Sequence, residues 1–255
     1  MAVVAGTEEL LVKAAKDLDR SRIPSIQPIS EMRLPRLGTI EHPRDVAQYI
    51  EHTALKPEAT RRAIVSLCEE AKHFGFRGVC VNPVYVEEAK EQLAGSGRAV
   101  ITVVGFPLGA NLSKTKAEET KAVIENGADE VDMVISVGAL KSGEYKAAFS
   151  DIRAVVEAAG RIPVKVILET ILLDEYQKVL GCLLAERAGV AFVKTSTGFA
   201  GGGAKVEDVV LMRRVLNERV AIKAAGGIKD FQTARAMVMA GADRLGCSAS
   251  VAIVT

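Results

Sequence analysis

The sequence predicts an α/β protein built as a single (β/α)8 barrel with an N-terminal helical extension. Eight short apolar runs recur along residues 46–255, at about 49–54, 78–82, 99–105, 130–135, 163–169, 191–196, 220–225 and 244–247. They show little polar alternation, as expected of parallel strands covered on both faces. Amphipathic stretches of helical length lie between them, at 58–74, 113–126, 144–158, 174–188, 205–217 and 230–240. A glycine recurs at the end of the helical stretches, as in Gly75, Gly127, Gly189 and Gly241, and each is followed by a short turn and the next apolar run. A glycine there suits the left-handed residue that closes a helix. Repeated αβ units of this size close into a barrel. An open doubly wound sheet is the alternative, and it would place its ligand at a reversal of strand order.

Taken in order, residues 7–20 (TEELLVKAAKDLDR) read as an amphipathic helix with acids in its first turn and Thr7 as its N-cap. Residues 21–44 carry Pro24, Pro28, Pro35 and Pro43 and read as an extended connector. A short helix is expected from Pro43, because proline is tolerated at the first helical position. Residues 1–45 are therefore assigned to the extension and residues 46–255 to the barrel.

Bulk composition removes several function classes. The 255 residues carry 33 Lys+Arg against 32 Asp+Glu, a net charge of +1, and no tryptophan. Nucleic-acid binders normally show a basic excess and stacking aromatics, so neither a nucleic-acid nor a membrane partner is expected. No apolar run approaches membrane-spanning length, and a cytoplasmic protein is expected. Cys68, Cys80, Cys182 and Cys247 form no CxxC pair, and His42, His52 and His73 are scattered. No metal site is therefore expected, and the thiols are expected to be reduced. Cys80 and Cys247 read as small core residues.

In such a barrel the chemistry belongs at the C-terminal ends of the strands. The polar residues that fall there are Glu51, His52, Thr53, Asn82, Asp132, Ser136, Lys165, Glu169, Lys194, Thr195, Ser196, Thr197, Lys223 and Ser248. Lys194 and Lys223 stand out, because each follows an apolar strand and precedes glycine. Burying a lysine is costly, and two neighbouring lysines each disfavour the other's charge. An amine kept neutral in this way can attack a carbonyl and form a Schiff base. The competing interpretation is a pair of lysines bridged to carboxylates or reaching to water. Asp132 should share a face with Val134 and oppose Met133. It could serve as a structural ion-pair partner, a role compatible with setting a pKa and relaying protons. Gly226-Gly227 and Gly246-Cys247-Ser248 end the last two units, the usual place of a phosphate cradle. Gly201-Gly202-Gly203 could close over a substrate or form a flexible loop.

Eight segments together resemble the deoxyribose-phosphate aldolase family, class I aldolases with a TIM-barrel fold. They are IEHTALKP (50–57), GVCVNP (78–83), VVGFPLG (103–109), ADEVDMVI (128–135), VKVILET (164–170), FVKTSTGF (192–199), IKAAGGI (222–228) and GADRLGCS (241–248). The resemblance implies reversible cleavage of 2-deoxy-D-ribose 5-phosphate to D-glyceraldehyde 3-phosphate and acetaldehyde, without a metal or other cofactor. It implies that Lys194 forms the Schiff base, that Lys223 lowers its pKa, and that Asp132 transfers protons with a water. It further implies a phosphate site at Gly226, Gly227 and Ser248, with Thr197 and Gly198 nearby and Glu51 and Asn82 among the substrate residues. A homo-oligomer, dimer or tetramer, is expected. Another Schiff-base phosphosugar aldolase or transaldolase, and a non-catalytic sugar-phosphate sensor, are the rival readings.

The sequence departs from the family pattern in places. Glu51 stands where aspartate is common, Ser136 where asparagine is common, and Ala249 where a second serine is common. Many members end in a tail bearing a tyrosine that assists proton transfer. This sequence ends at Thr255, so either such a tail is dispensable here or turnover could be low.

Overall fold

A computed structural model of the chain describes residues 6–26 and 40–255. The predicted connector falls largely on residues 27–39 and, with Pro28 and Pro35, lies outside the described residues. Eight parallel strands close in sequential order, β1 (Ile50–Ala54), β2 (Gly78–Val81), β3 (Ala99–Val104), β4 (Glu130–Val134), β5 (Val164–Ile167), β6 (Phe192–Lys194), β7 (Ala221–Ala225) and β8 (Arg244–Cys247). Strand β8 pairs in parallel with β1, so no strand-order reversal exists and the open-sheet alternative fails. Every strand falls on a predicted apolar run.

Ten α-helices accompany the strands among the described residues. They are α1 (Thr7–Arg20), α2 (Arg61–Phe74), α3 (Val86–Gln92), α4 (Ser113–Glu125), α5 (Val137–Lys141), α6 (Tyr145–Ala159), α7 (Glu175–Arg187), α8 (Val206–Val215), α9 (Phe231–Met239) and α10 (Ser250–Val254). Helices α3 and α5 were not among the predicted helices. They have seven and five residues, too few for a 3.6-residue period to show. Gly75, Gly127, Gly189 and Gly241 all take positive φ, between 73° and 112°, as the repeat required.

Strand alternation separates two packed layers. Val79, Val81, Val131, Met133, Val166, Val193 and Ile222 face the helices and join the main core. Inside the barrel, Cys80, Ile101 and Val103 form one small apolar cluster, and Ala191, Phe192 and Ala221 form another. Cys80 is thus a core residue of the barrel interior, and all four cysteines are buried and free. Between these clusters the interior is ionic.

Helix α1 packs along α7 and α8. Ala14 and Leu18 are fully buried beneath it, and the Lys13 ammonium lies 4.3 Å from the centre of the Tyr176 ring. The Arg187 guanidinium donates to Ile23 O at 3.0 Å, holding the chain that leaves α1. The N-cap differs from expectation. Gly6 occupies that position, and Thr7 is the first helical residue, buried against the barrel. Near Pro43 the expected short helix forms as a 3-10 turn over Pro43–Tyr49. The Asp45 carboxylate accepts from the N–H groups of Glu41 and His42 at 2.9 and 2.7 Å. Among the described residues, no helix is long and apolar enough to cross a membrane.

Candidate active site

The ionic interior is organised around Asp132 on β4. Its Oδ2 accepts from Lys194 Nζ at 2.8 Å and from Lys223 Nζ at 2.7 Å. Its Oδ1 accepts from Lys165 Nζ at 2.8 Å. Lys165 also meets Glu130 at 2.6 Å and Glu51 at 3.6 Å, and Lys223 donates to Glu51. Local pattern explains the placement. Glu130 and Asp132 are two residues apart, so one face of β4 carries both. Lys194 and Lys223 are direct register partners across β6 and β7.

The three lysines are not equivalent. Lys165 and Lys223 are fully sealed, whereas Lys194 is 2% exposed and lines an open cavity of about 450 Å³. Burial disfavours charge on Lys223, but Asp132 and Glu51 outweigh it and hold its ammonium well above the ordinary range. Lys165 is likewise raised, by Asp132, Glu130 and Glu51 acting against burial. Lys194 goes the other way. Burial pushes it below the ordinary lysine value and the Lys223 ammonium adds to that, against the pull of Asp132. The expectation that Lys223 lowers this pKa therefore needs refining, because burial is the larger cause. Asp132 itself is driven well below the usual carboxylate range, since its three lysines outweigh its burial.

The cavity opens at the C-terminal end of the strands. Lys194, Thr197, Gly198, Gly226, Gly227 and Ser248 all line it. These are the sequence-predicted nucleophile and the five residues assigned to phosphate. Gly226 has φ +88°, and a Cβ there would lie 2.9 Å from Gly203 Cα. A Cβ on Gly203 would lie 2.3 Å from Gly226 O. The N–H of Ala204 donates to Ala225 O and Gly226 O at 3.1 and 3.0 Å. The end of the glycine run is thus a tight backbone contact against the end of β7, rather than a free flap.

Two predicted substrate residues lie elsewhere. Glu51 is fully buried below the cavity, beside Lys223 and Lys165. Asn82 does not reach the cavity; its amide donates to Leu55 O at 3.2 Å and Lys56 O at 3.5 Å, supporting the loop after β1. Its NH2 donors are taken up by these backbone carbonyls, which gives Asn82 a loop-supporting role beside the one expected of it. His52 faces outward, with Nε2 2.7 Å from Glu70 on α2. Lys165 was named only among the strand-end polar residues, and Glu130 and Arg244 were not named for the site. The signal for Glu130 and Arg244 was their two-residue spacing from Asp132 and Gly246, and their inward orientation depended on closure. Among the described residues, no group of three or more His, Cys, Asp or Glu is arranged to hold a metal ion.

A closed parallel barrel with a buried lysine of lowered basicity at its mouth defines the Schiff-base aldolase class. The chain belongs to the DeoC/LacD aldolase family, whose model matches residues 45–253. It is 56% identical over 211 residues to a deoxyribose-phosphate aldolase from Geobacillus sp. (strain WCH70), covering 82% of this chain and 95% of that protein. The crystal structure of a candidate deoxyribose-phosphate aldolase from Coccidioides immitis superposes with a TM-score of 0.83 at 39% identity, over 99% of this chain and 98% of that one. The tetrameric deoxyribose phosphate aldolase from Aeropyrum pernix superposes with a TM-score of 0.78 at 30% identity, over 94% of each chain.

Proposed function

We propose that this protein is a deoxyribose-phosphate aldolase, cleaving 2-deoxy-D-ribose 5-phosphate reversibly to D-glyceraldehyde 3-phosphate and acetaldehyde. One observation carries the reading. Of the three lysines gathered on Asp132, only Lys194 reaches the cavity, and it is the one whose basicity is lowered.

In this reading the neutral Lys194 amine adds to the C1 aldehyde of the open-chain sugar, and loss of water leaves an iminium. The C3 hydroxyl gives up its proton, and the C2–C3 bonding pair moves into the iminium to form an enamine. Glyceraldehyde 3-phosphate departs. Protonation of the enamine at C2 and hydrolysis of the new imine release acetaldehyde and restore the amine. Asp132 Oδ2 contacts both Lys194 and Lys223, so Asp132 and Lys223 are placed beside the reacting amine to relay protons through a water. The phosphate rests on the glycine-lined wall of Gly198, Gly226 and Gly227 with Ser248, which fixes the reacting carbons by binding a remote group. The iminium supplies the electron sink, so the scheme calls for no cofactor.

The assay is cleavage of deoxyribose 5-phosphate with and without borohydride. Glyceraldehyde 3-phosphate should form, and borohydride should inactivate the enzyme with a substrate adduct on Lys194. An unmodified enzyme after borohydride and substrate would defeat the reading. We further propose a homo-oligomeric, cytoplasmic enzyme. The tetrameric Aeropyrum pernix relative and the exposed Val84, Leu108 and Leu112 support self-association, which sedimentation would measure.

A further inference from the structure

Glu169 follows β5 and has no role in the scheme above. It is one of two described non-glycine residues with a left-handed backbone, at φ +58° and ψ 64°. Side chains other than glycine seldom occupy that region, and such residues persist only where their surroundings hold them. Glu169 is 3% exposed. No cation among the described residues lies within ion-pair distance of its carboxyl group, and its Oε1 has no hydrogen-bond partner there. A buried carboxyl group kept in a rare backbone conformation without a cation needs another explanation.

Its other oxygen supplies one. Oε2 accepts from the Thr197 N–H at 3.1 Å and from the Thr197 hydroxyl. The Thr197 hydroxyl in turn accepts from the Phe199 N–H at 3.1 Å. One carboxyl group therefore orients a hydroxyl, which pins the N–H two residues on. Between them lies Gly198, whose Cα would be 3.5 Å from a Cβ placed on Gly226. Thr197, Gly198 and Phe199 all line the cavity that contains Lys194. The backbone alongside is paired as well: Leu168 N donates to Lys194 O at 3.0 Å and Thr170 N to Thr195 O at 2.9 Å. Glu169 is the residue between those two bonds. Its left-handed turn directs its side chain across to the loop after β6 while its neighbours remain zipped to that strand.

We propose that Glu169 is a positioning residue: through the Thr197 hydroxyl it holds the Thr197–Phe199 loop in the shape that receives the substrate's phosphate. The inference rests on the aldolase reading for the identity of the phosphate-bearing ligand. It does not make Glu169 a participant in bond making.

The test compares Glu169→Ala and the conservative Glu169→Gln with the wild type in three measurements. Loss of a hydrogen bond to a charged or strongly polarised acceptor is expected to weaken phosphate-dependent binding about tenfold. For Glu169→Ala, the rise in KM for deoxyribose 5-phosphate should therefore exceed any fall in kcat. The loss should also be about tenfold larger than with phosphate-free deoxyribose. Glu169→Gln should fall between the two enzymes, because an amide oxygen can still accept from Thr197. Calorimetry with inorganic phosphate should show the same ranking without any turnover, so it still decides the proposal if the wild type cleaves no sugar phosphate. Circular dichroism establishes that each variant is folded. Equal losses on both substrates, or a phosphate affinity in Glu169→Ala within about twofold of wild type, would overturn the proposal.

Discussion

Lys194 and Lys223 are opposed register partners on β6 and β7, and both reach the same Asp132 oxygen, at 2.8 and 2.7 Å. Their environments differ in one respect that separates their protonation. Lys223 has a second carboxylate, Glu51, and Lys194 has none. The better-compensated lysine keeps its proton, and its charge lowers the proton affinity of the other.

Lys194→Ala should leave no nucleophile. Borohydride trapping of an acetaldehyde adduct should vanish, and kcat/KM should fall by at least about a thousandfold, as for other removed nucleophiles. Peptide mapping of the reduced adduct is the measurement. A trapped adduct on Lys165 or Lys223 would overturn the assignment.

Lys223→Leu removes the neighbouring cation, so the pKa of Lys194 should rise. The acidic limb of the pH–rate profile should move to higher pH. The variant also leaves Glu51 and Asp132 short of a partner, a cost of about 3–5 kcal/mol for a broken buried pair. Rates should therefore be measured below the variant's unfolding temperature. An unmoved profile would mean that burial alone sets the Lys194 pKa.

Stability should reveal the same asymmetry. The folded pKa of Lys194 lies below the ordinary lysine value of 10.5, so between the two the unfolded chain binds more protons and stability rises with pH. Lys223 has the opposite sign: its stabilisation is complete below 10.5 and is lost as pH rises through its raised folded value. Asp132 stabilises above its ordinary 3.8, and that contribution is lost as pH falls through its depressed folded value. Lys194→Met should therefore flatten the rise of stability with pH below 10.5. Chemical denaturation across pH would show it; an unchanged slope of stability against pH would count against a lowered Lys194 pKa.

Gly203→Ala should be costly although the position lies in a loop. Its Cβ would fall 2.3 Å from Gly226 O, so one backbone must shift. The expected loss is about 1–3 kcal/mol, with weaker phosphate binding. Gly138→Ala on α5 meets nothing within 4 Å and serves as the control. It should be neutral or stabilising by up to about 1 kcal/mol. Equal behaviour of the two would show that the close approach is not sustained.

Much of this was readable from residue order. Period-two alternation in β4 put Asp132 opposite Met133, and Met133 does join the helix-facing core while Asp132 faces the lysines. The glycine after each helical stretch marked where an αβ unit ends, because few other residues take positive φ at no cost. Short helices escaped notice, since α3 and α5 are too brief to carry a period. Thr7 misled because a good capping residue need not occupy the cap when Gly6 precedes it.

Residue order alone accounts for the eight apolar runs, the inward polar positions and the two strand-end lysines, because strand and helix periods act over a few neighbours. It could not say which lysine meets the cavity, which carboxylate each one owns, or that Asn82 is occupied by the carbonyls of Leu55 and Lys56. Those facts depend on barrel closure, which brings Glu51 to Lys223 across a separation of 172 residues. Contacts over such distances leave no local repeat in the chain. They arise when the last strand pairs with the first and the interior charges must compensate one another.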